Sequence, residues 1–269
     1  MYLYTYGRYH NQDINTTVPI YYCNECNSFI KKIDSELITT YFKKSVYTNL
    51  INEQESYDHR IDFFNYIYTL TKRHNKHITS WLDYGSSYGH FVEFLNSKEI
   101  ESCGIEISDE VRYHAIQRGL EIYIRLEDLP QKKMFGVISF IDSLYYSATP
   151  KVLLEKVYNL LYDNGLLVLR VVNRNWLTKF DKQFRKKKEC TALIDHTIGY
   201  SHKSITYLLN NNGFKIIMTT YIERGKYRSQ RDKFLCTMAT FCYFLSFGLI
   251  NIMPGIIIIA KKNLNFSKS

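Results

Sequence analysis

The chain has 269 residues, of which 45% are apolar, so it is long enough for one α/β domain with a sizeable core and a small appendage. Thirty-five basic residues against 26 acidic ones give a formal charge of +9, which suits an anionic partner as well as plain solubility. The N-terminus lacks the apolar stretch of a secretory signal, so we expect a cytoplasmic location and mostly free thiols for the six cysteines.

Residues 1–56 are predicted to form an irregular N-terminal leader with a short helical pattern around Ser35–Tyr47. The leader carries one C-x-x-C pair, Cys23 and Cys26, within the stretch YYCNECNSFI. A structural zinc needs four ligands. The chain has no second C-x-x-C pair, and His10 is the only histidine or cysteine before Cys23. We therefore predict no metal site here.

The rest of the chain, residues 57–269, is predicted to be one domain in which helices and strands alternate. Helical spacing is found in YDHRIDFFNYIYTLTKRH, GHFVEFLNSK, DEVRYHAIQRG, TPKVLLEKVYNLLYDNG and SHKSITYLLNNNG. Strand patterns are found in ITSWLDYG, SCGIEIS, LEIYIRLEDL, FGVISFID, LLVLRVVN, FKIIMTTYIE and GIIIIAKK. The alternation predicts an α/β, Rossmann-like fold with a seven-stranded, mostly parallel sheet, helices on both faces and a ligand site at the carboxyl ends of the strands.

A glycine-containing loop, LDYGSSYGHF, follows the first strand of this domain. It is not a P-loop, because no lysine follows Gly89, and it is not the dinucleotide pattern G-x-G-x-x-G. Asp83, Gly85, Ser87 and Gly89 instead form the pattern D-x-G-x-S-x-G. The glycines allow the backbone to approach a ligand closely, because they have no Cβ.

An acid, Glu106, ends the next strand about twenty residues later. At that position a carboxylate can accept hydrogen bonds from both hydroxyls of a ribose. The alternative is an ordinary surface glutamate, but the flanking Ile105 and Ile107 favour the ligand-binding interpretation.

These two features resemble motif I of the class I S-adenosylmethionine-dependent methyltransferases, D-x-G-x-G-x-G, with Ser87 in place of the middle glycine. The resemblance implies S-adenosylmethionine as cofactor. It places Asp83 near the cofactor's ammonium group, Gly85, Ser87 and Gly89 in the cofactor loop, and Glu106 with Ile107 near the ribose.

The resemblance extends over about residues 57–222 and returns at the last strand. It makes Leu126 and Glu127, in RLEDLP, candidates for the adenine end. The segment IDSLYYSA resembles the family's D-x-L-E-H, in which Asp142 is a candidate cofactor residue and Tyr146 a candidate catalytic residue. YYCNECNSFI resembles the second half of a zinc-ribbon leader found on some sugar and natural-product methyltransferases.

A histidine segment, DHTIGYSHKSITYLLNNNGFKII, resembles the family's H-x-x-x-[YF]-S motif near the active site, with His196 and Tyr200 matching. His196 could remove a hydroxyl proton as the methyl group transfers. Alternatively, it only holds its loop by a hydrogen bond. Both interpretations stay open at this stage.

Missing motifs narrow the choice of acceptor. The [DN]-P-P-[YFW] motif of amino-adenine methylases is absent, and no cysteine lies between Cys103 and Cys190 to serve a cytosine methylase. We therefore expect methyl transfer to a hydroxyl or other nucleophile of a small molecule, such as a sugar, nucleotide sugar or lipid-linked glycan precursor. An RNA methyltransferase and a catalytically inactive methyltransferase-like scaffold are the alternatives.

Two segments bear on partners. The basic run Lys179–Glu189 could grip a phosphate or a headgroup, or be a solvated loop. An apolar helical insertion is predicted at about 228–253, and most of it lies in a stretch without charge, Phe234–Ala260. Pro254 and Gly255 interrupt that stretch and argue against a membrane span. A buried helix, a homodimer face and a helix in the membrane interface are its three interpretations. The flanking Lys226, Arg228, Arg231 and Lys233 favour the last, and with it peripheral membrane association.

Overall fold

The computed structural model describes residues 2–6, 16–32, 57–58, 60–173, 196–221, 230–248 and 251–266. The predicted helix around 35–47 and the basic run 179–189 lie outside these residues. The elements in chain order are β1 (Tyr2–Tyr6), β2 (Thr16–Tyr22), β3 (Phe29–Lys31), α1 (Ile61–His74), β4 (Ser80–Tyr84), α2 (His90–Asn96), β5 (Glu101–Ile105), α3 (Asp109–Gln117), β6 (Ile122–Tyr123), β7 (Phe135–Ile141), α4 (Pro150–Leu160), β8 (Leu161–Val172), β9 (Ile198–Gly199), α5 (His202–Asn210), β10 (Phe214–Thr220), α6 (Gln230–Leu245) and β11 (Gly255–Lys262).

The larger sheet has seven strands in the order β10-β11-β8-β7-β4-β5-β6. The strand β11 is antiparallel to both of its neighbours, and the pairs from β8 to β6 are parallel. The runs LLVLRV in β8 and GIIIIA in β11 are buried along their length, as expected for strands covered on both faces. The predicted seven-stranded, mostly parallel α/β fold is confirmed.

Two apolar cores cover the two faces of this sheet. One face packs α4 and α5 against residues such as Phe140 and Leu169. The opposite face packs α1 and α2 against Trp81, Val168 and Ile257. Successive residues of a strand point to opposite faces, so Trp81 and Leu82 enter different cores.

The helix α4 is shorter than the sequence pattern predicts. The pattern extends it to Asn164 and Gly165, but the helix ends at Leu160, and that prediction is wrong. Leu161 is buried and pairs with Phe135, after which an irregularity lets the pairing resume at Val137 and Leu166. Burial of Leu161 in the sheet therefore overrides the helical spacing.

The described part of the leader forms three strands, in contrast to the irregular structure expected from the sequence. They build a four-stranded antiparallel sheet in the order β1-β2-β3-β9. Its last strand, β9, comes from residues 198–199 of the large α/β domain, where Phe29 pairs with Gly199 and Ile30 with Ile198. The leader is thus attached to the loop that carries His196.

The apolar insertion contains α6, which connects β10 to β11. Gly255, at the start of β11, pairs with Val172 at the carboxyl end of β8, so the insertion lies at the carboxyl edge of the parallel strands. Among the described residues, no helix combines the length and the apolar character needed to cross a membrane.

Candidate functional site

The loop between β4 and α2 has the backbone geometry that its glycines suggest. Gly85, Ser87 and Gly89 have φ angles of +78°, +51° and +73°, all in the left-handed region. A Cβ on Gly85 would lie 2.4 Å from Cβ of Ser143, and one on Gly89 would lie 2.7 Å from Cδ1 of Leu120. Both positions therefore require glycine, whereas Ser87 adopts a conformation that is unfavourable for a residue with a side chain.

Glu106 joins this loop to the end of β5. Its Oε2 accepts a hydrogen bond from the backbone N–H of Ser87 at 2.8 Å, and its Oε1 accepts one from Ser108 at 2.8 Å. Burial raises the pKa of the Glu106 carboxyl, and these backbone hydrogen bonds oppose the rise. The contact with Ser87 fixes the loop at the residue where a glycine is expected from the resemblance.

Asp83 is buried at the end of β4. Its Oδ1 accepts a hydrogen bond from the Ser139 hydroxyl at 2.7 Å, and Ser139 in turn accepts one from Nε1 of Trp81 at 2.8 Å. Burial raises the pKa of Asp83 to about 7, although Ser139 and the positive charge of Arg60 act in the opposite direction.

A cleft of about 350 Å³ opens at the carboxyl ends of β4, β5 and β7. This volume lies within the range of small-molecule sites. Glu106 and Asp142 supply carboxylates, and aliphatic side chains supply apolar walls. Its lining residues include Tyr84, Gly85, Ile105, Glu106, Ile107, Ile124, Leu126, Glu127, Asp142, Ser143, Tyr146, Val152, Leu153 and Lys156.

Charged side chains in this cleft are paired with partners from neighbouring elements. Asp142 forms an ion pair with the buried Arg170 of β8. Glu127 forms an exposed ion pair with Lys156 of α4 at 2.5 Å, and this hydrogen bond is the first cause of the lowered pKa of Glu127.

Aromatic rings connect the cleft to the histidine loop. Tyr146 lines the cleft, and its ring lies edge-on to His196 with centroids 5.9 Å apart. The ring of Tyr145 is closer to His196, at 4.0 Å. His196 itself is buried and is not part of the cleft's described lining.

The leader holds this histidine loop from the other side. The backbone N–H of Lys31 donates to the carbonyl of Thr197 at 2.8 Å, next to His196. The hydroxyl of Ser201 donates to the carbonyl of Cys26 at 3.0 Å. Within the described residues, no group of three or more His, Cys, Asp or Glu side chains could hold a metal ion.

A family model described as a methyltransferase domain matches residues 51–219, which is more than half of the chain. The chain belongs to the methyltransferase domain family. A search of curated protein sequences found no significant match to it. The predicted membership of the class I S-adenosylmethionine-dependent methyltransferases is confirmed, and with it S-adenosylmethionine as the cofactor of this enzyme.

Solved structures of methyltransferases share the fold of this chain. The plantazolicin methyltransferase BpumL in complex with SAH (S-adenosylhomocysteine) superposes with a TM-score of 0.53 at 14% identity, over 86% of this chain and 91% of BpumL. An S-adenosylmethionine-dependent methyltransferase from Clostridium acetobutylicum gives a TM-score of 0.53 at 13% identity, over 81% and 96% of the two chains. A methyltransferase in complex with the Haloferax volcanii Trm112 activator gives 0.51 at 15%, over 74% and 91%.

In this methyltransferase the cleft brings together most of the residues singled out in the sequence. Its lining contains Gly85, Glu106, Ile107, Leu126, Glu127, Asp142 and Tyr146. Ser87 and Gly89 shape the loop from behind, and His196 contacts the cleft through Tyr146. Asp83 lies off the described lining, with its carboxylate hydrogen-bonded to Ser139.

Sequence reasoning missed the groups that hold these acids. Ser139 and Arg60 influence Asp83, and Arg170 pairs with Asp142, although each lies far from its partner in the sequence. The sequence gives one indication of these contacts, at Arg170. An arginine inside the apolar run LLVLRVV requires a buried partner of opposite charge.

Proposed function

We propose that this methyltransferase transfers a methyl group to a hydroxyl or other nucleophile of a small molecule, with a sugar, nucleotide sugar or lipid-linked glycan precursor as the preferred class. The supporting observation is the contact between Tyr146, which lines the cleft, and His196, whose neighbour Thr197 accepts a hydrogen bond from the leader. The candidate proton acceptor therefore lies one ring away from the cleft, on a loop that is hydrogen-bonded to the leader.

The hydrogen-bonding groups of the cleft suit S-adenosylmethionine. Each oxygen of Glu106 accepts one backbone N–H, and since a carboxylate oxygen accepts two, both can also accept a ribose hydroxyl. The neighbouring Ser108 hydroxyl is buried without a hydrogen-bond partner in the described part of the chain. Polar atoms in this region can therefore form more hydrogen bonds than the described part of the protein provides.

We assign the remaining candidate residues roles in cofactor binding. Ile107 and Leu126 are apolar walls for the base, and Glu127 is a hydrogen-bond acceptor at that end. Asp142 is an acid for the cofactor's amino-acid part. Gly85, Ser87 and Gly89 shape the loop, and Asp83, which lies off the described lining, is the candidate partner of the cofactor's ammonium group through water.

When bound, S-adenosylmethionine supplies an electrophilic methyl group on a sulfonium. Tyr146, which lines the cleft, then positions the acceptor, and His196, which contacts the Tyr146 ring from outside the described lining, is the candidate base for the acceptor's proton. Positioning supplies much of the rate if the acceptor is already ionised.

The test is S-adenosylhomocysteine formation with nucleotide sugars and lipid-linked sugars as acceptors. A base role for His196 predicts that His196→Gln lowers kcat by about a hundredfold while the Kd for S-adenosylhomocysteine stays the same. Tyr146→Phe keeps the ring contact and tests the hydroxyl alone. If His196→Gln lowers thermal stability but leaves kcat unchanged, the histidine only holds its loop.

The formal charge of +9 favours RNA as a second candidate acceptor. An RNA methyltransferase would bind RNA with an affinity that falls steeply as salt concentration rises. Filter binding at several salt concentrations separates this candidate from the small-molecule acceptor.

Homodimer formation is tested by sedimentation of the same preparation.

A further inference from the structure

The helix α6 and the turn after it expose an unusual apolar surface. The following residues, called the α6 face below, are exposed: Phe234, Leu235, Met238, Phe241, Phe244, Leu245 and Phe247. Phe247 is 96% exposed and has a φ of +51°, so it projects from the turn that ends the helix. Contiguous exposed patches of large apolar side chains mark interaction surfaces in soluble proteins.

The opposite side of α6 is already occupied by the protein. Ala239 is buried, the Thr240 hydroxyl lies 3.6 Å from Sδ of Met253, and the ring of Tyr243 lies 5.4 Å from that of Tyr221. The helix is therefore apolar on both sides, a composition expected of a helix that is covered all round. The residues that the structure describes cover only the inner side of α6.

We propose that the α6 face docks against an anionic lipid surface. The charge distribution identifies this occupant: no charged residue occurs from residue 234 to residue 260, whereas Lys226, Arg228, Arg231 and Lys233 precede the apolar stretch with Asp232 as the one acid among them. A basic segment that leads into an exposed apolar helix is the pattern of helices that lie in the membrane interface.

The shape of the surface also suits a lipid layer. Phe241, Phe244 and Phe247 follow one another at intervals of three residues, and all of them stand out from the fold. A fully exposed ring at a turn needs a shaped pocket in a protein partner, but it enters the deformable headgroup region without one.

The position of the α6 face connects it to the active-site edge. Both ends of the insertion lie at the carboxyl edge of the parallel strands, where the cleft opens. Tyr243 contacts Tyr221, whose ring lies 6.1 Å from His202 at the start of α5. A docked membrane would therefore lie near the acceptor side. A lipid-linked acceptor follows only together with the proposed function, whereas membrane docking itself is independent of it.

The experiment is co-sedimentation of the full chain with phosphatidylcholine vesicles, with and without phosphatidylglycerol, at low and high salt. We expect binding to anionic vesicles to be at least about tenfold stronger than to neutral ones and to weaken at high salt. Phe241→Ser and Phe247→Ser should each weaken binding by about tenfold. The matched control is Tyr207→Ser, since Tyr207 on α5 is 62% exposed and Phe241 is 59% exposed.

Calorimetry with S-adenosylhomocysteine shows that each variant is folded, so loss of docking is separated from loss of the cofactor site. Wild-type protein that stays in the supernatant with anionic vesicles would overturn the proposal. Equal vesicle binding by wild type and both phenylalanine variants would also overturn it. Sedimentation as a dimer that Phe241→Ser dissociates, without vesicle binding, would show that a second copy covers the face instead.

Discussion

Two buried acids, Asp83 and Glu106, end neighbouring strands of the sheet, but their surroundings differ. Glu106 lines the cleft and accepts two backbone hydrogen bonds. Asp83 faces Ser139 inside the fold, and burial raises its pKa to about 7. A carboxyl group in such an environment costs stability when it ionises, because burial penalises its charged form.

The first prediction concerns the stability cost of Asp83. The ordinary pKa of an aspartate is 3.8, whereas that of folded Asp83 is about 7, so between these pH values the folded state holds a proton that the unfolded chain has released. The free energy of unfolding therefore falls as pH rises through this window, by on the order of 4 kcal/mol in total. Asp83→Asn, which does not ionise, should be more stable than wild type at pH 8, with a smaller difference at pH 5.

Urea denaturation at both pH values measures this difference. The control is Asp163→Asn, because Asp163 is an exposed carboxylate near the amino end of β8, with its Oδ1 3.6 Å from Nζ of Lys262. A stability difference that is the same at pH 5 and pH 8 would contradict the account of Asp83.

The second prediction concerns Ser87, whose φ of +51° is unfavourable for a residue with a Cβ. Ser87→Gly should change the free energy of unfolding by less than about 1 kcal/mol, because relief of strain and gain of unfolded-state entropy oppose each other. Ser87→Val should cost more than about 1 kcal/mol, since β-branched residues tolerate this conformation poorly.

Denaturant unfolding and S-adenosylhomocysteine titration of both variants test this prediction. We expect Ser87→Gly to keep the ligand affinity and Ser87→Val to lose it, because the backbone N–H of Ser87 positions Glu106. Equal stability of the two variants would show that the loop is not held in the left-handed conformation.

Individual site residues could be predicted where the signal is local. Glu106 follows an apolar strand directly, so the sequence alone predicts its position at the end of that strand. Ser139 lies 56 residues from Asp83, and nothing in its own surroundings indicates the hydrogen bond that joins them. Contacts between distant residues are set by the order of strands in the sheet, which one sequence does not reveal.

At the scale of elements, the strands and helices of the large domain could be predicted because their periodicity is strong. The leader strands could not, since β3 has three residues and pairs with a two-residue strand far along the chain. The predicted end of α4 was also wrong, because burial of Leu161 in the sheet ends the helix at Leu160. Short strands, and helix ends that depend on pairing in a sheet, are not determined by the local sequence pattern.

The third prediction concerns the junction between the leader and α5. The Ser201 hydroxyl accepts the N–H of Ser204 at 3.1 Å as the helix cap and donates to the carbonyl of Cys26 at 3.0 Å. Ser201→Ala should therefore lower the free energy of unfolding by about 1–2 kcal/mol. Ser201→Thr keeps the hydroxyl and is the matched control.

Hydrogen exchange locates this effect, because faster exchange of the Lys31 amide in Ser201→Ala would show that the leader has loosened. If Ser201→Ala and Ser201→Thr lose the same stability, the hydroxyl contributes through neither hydrogen bond.

At the scale of the whole molecule, the cofactor cleft, the histidine loop and the α6 face lie on one edge of a single sheet. Ligand binding to the cleft stabilises the folded state by mass action, by about 2.7 kcal/mol at a hundred times Kd. The fourth prediction is that S-adenosylhomocysteine raises the Tm of wild type by about 5 °C or more at that concentration. Asp163→Asn should show the same shift, and absence of a shift in both would contradict the cofactor site.

The most direct test of the account is calorimetric titration of wild type and Glu106→Ala with S-adenosylhomocysteine. We predict micromolar binding by wild type and a loss of at least about a hundredfold in Glu106→Ala, because the mutation removes the two oxygens proposed to accept the ribose hydroxyls and releases the Ser87 loop. Glu121→Ala, an acid at the amino end of the neighbouring strand, should bind like wild type. Equal affinity of wild type and Glu106→Ala would contradict the placement of the cofactor in this cleft.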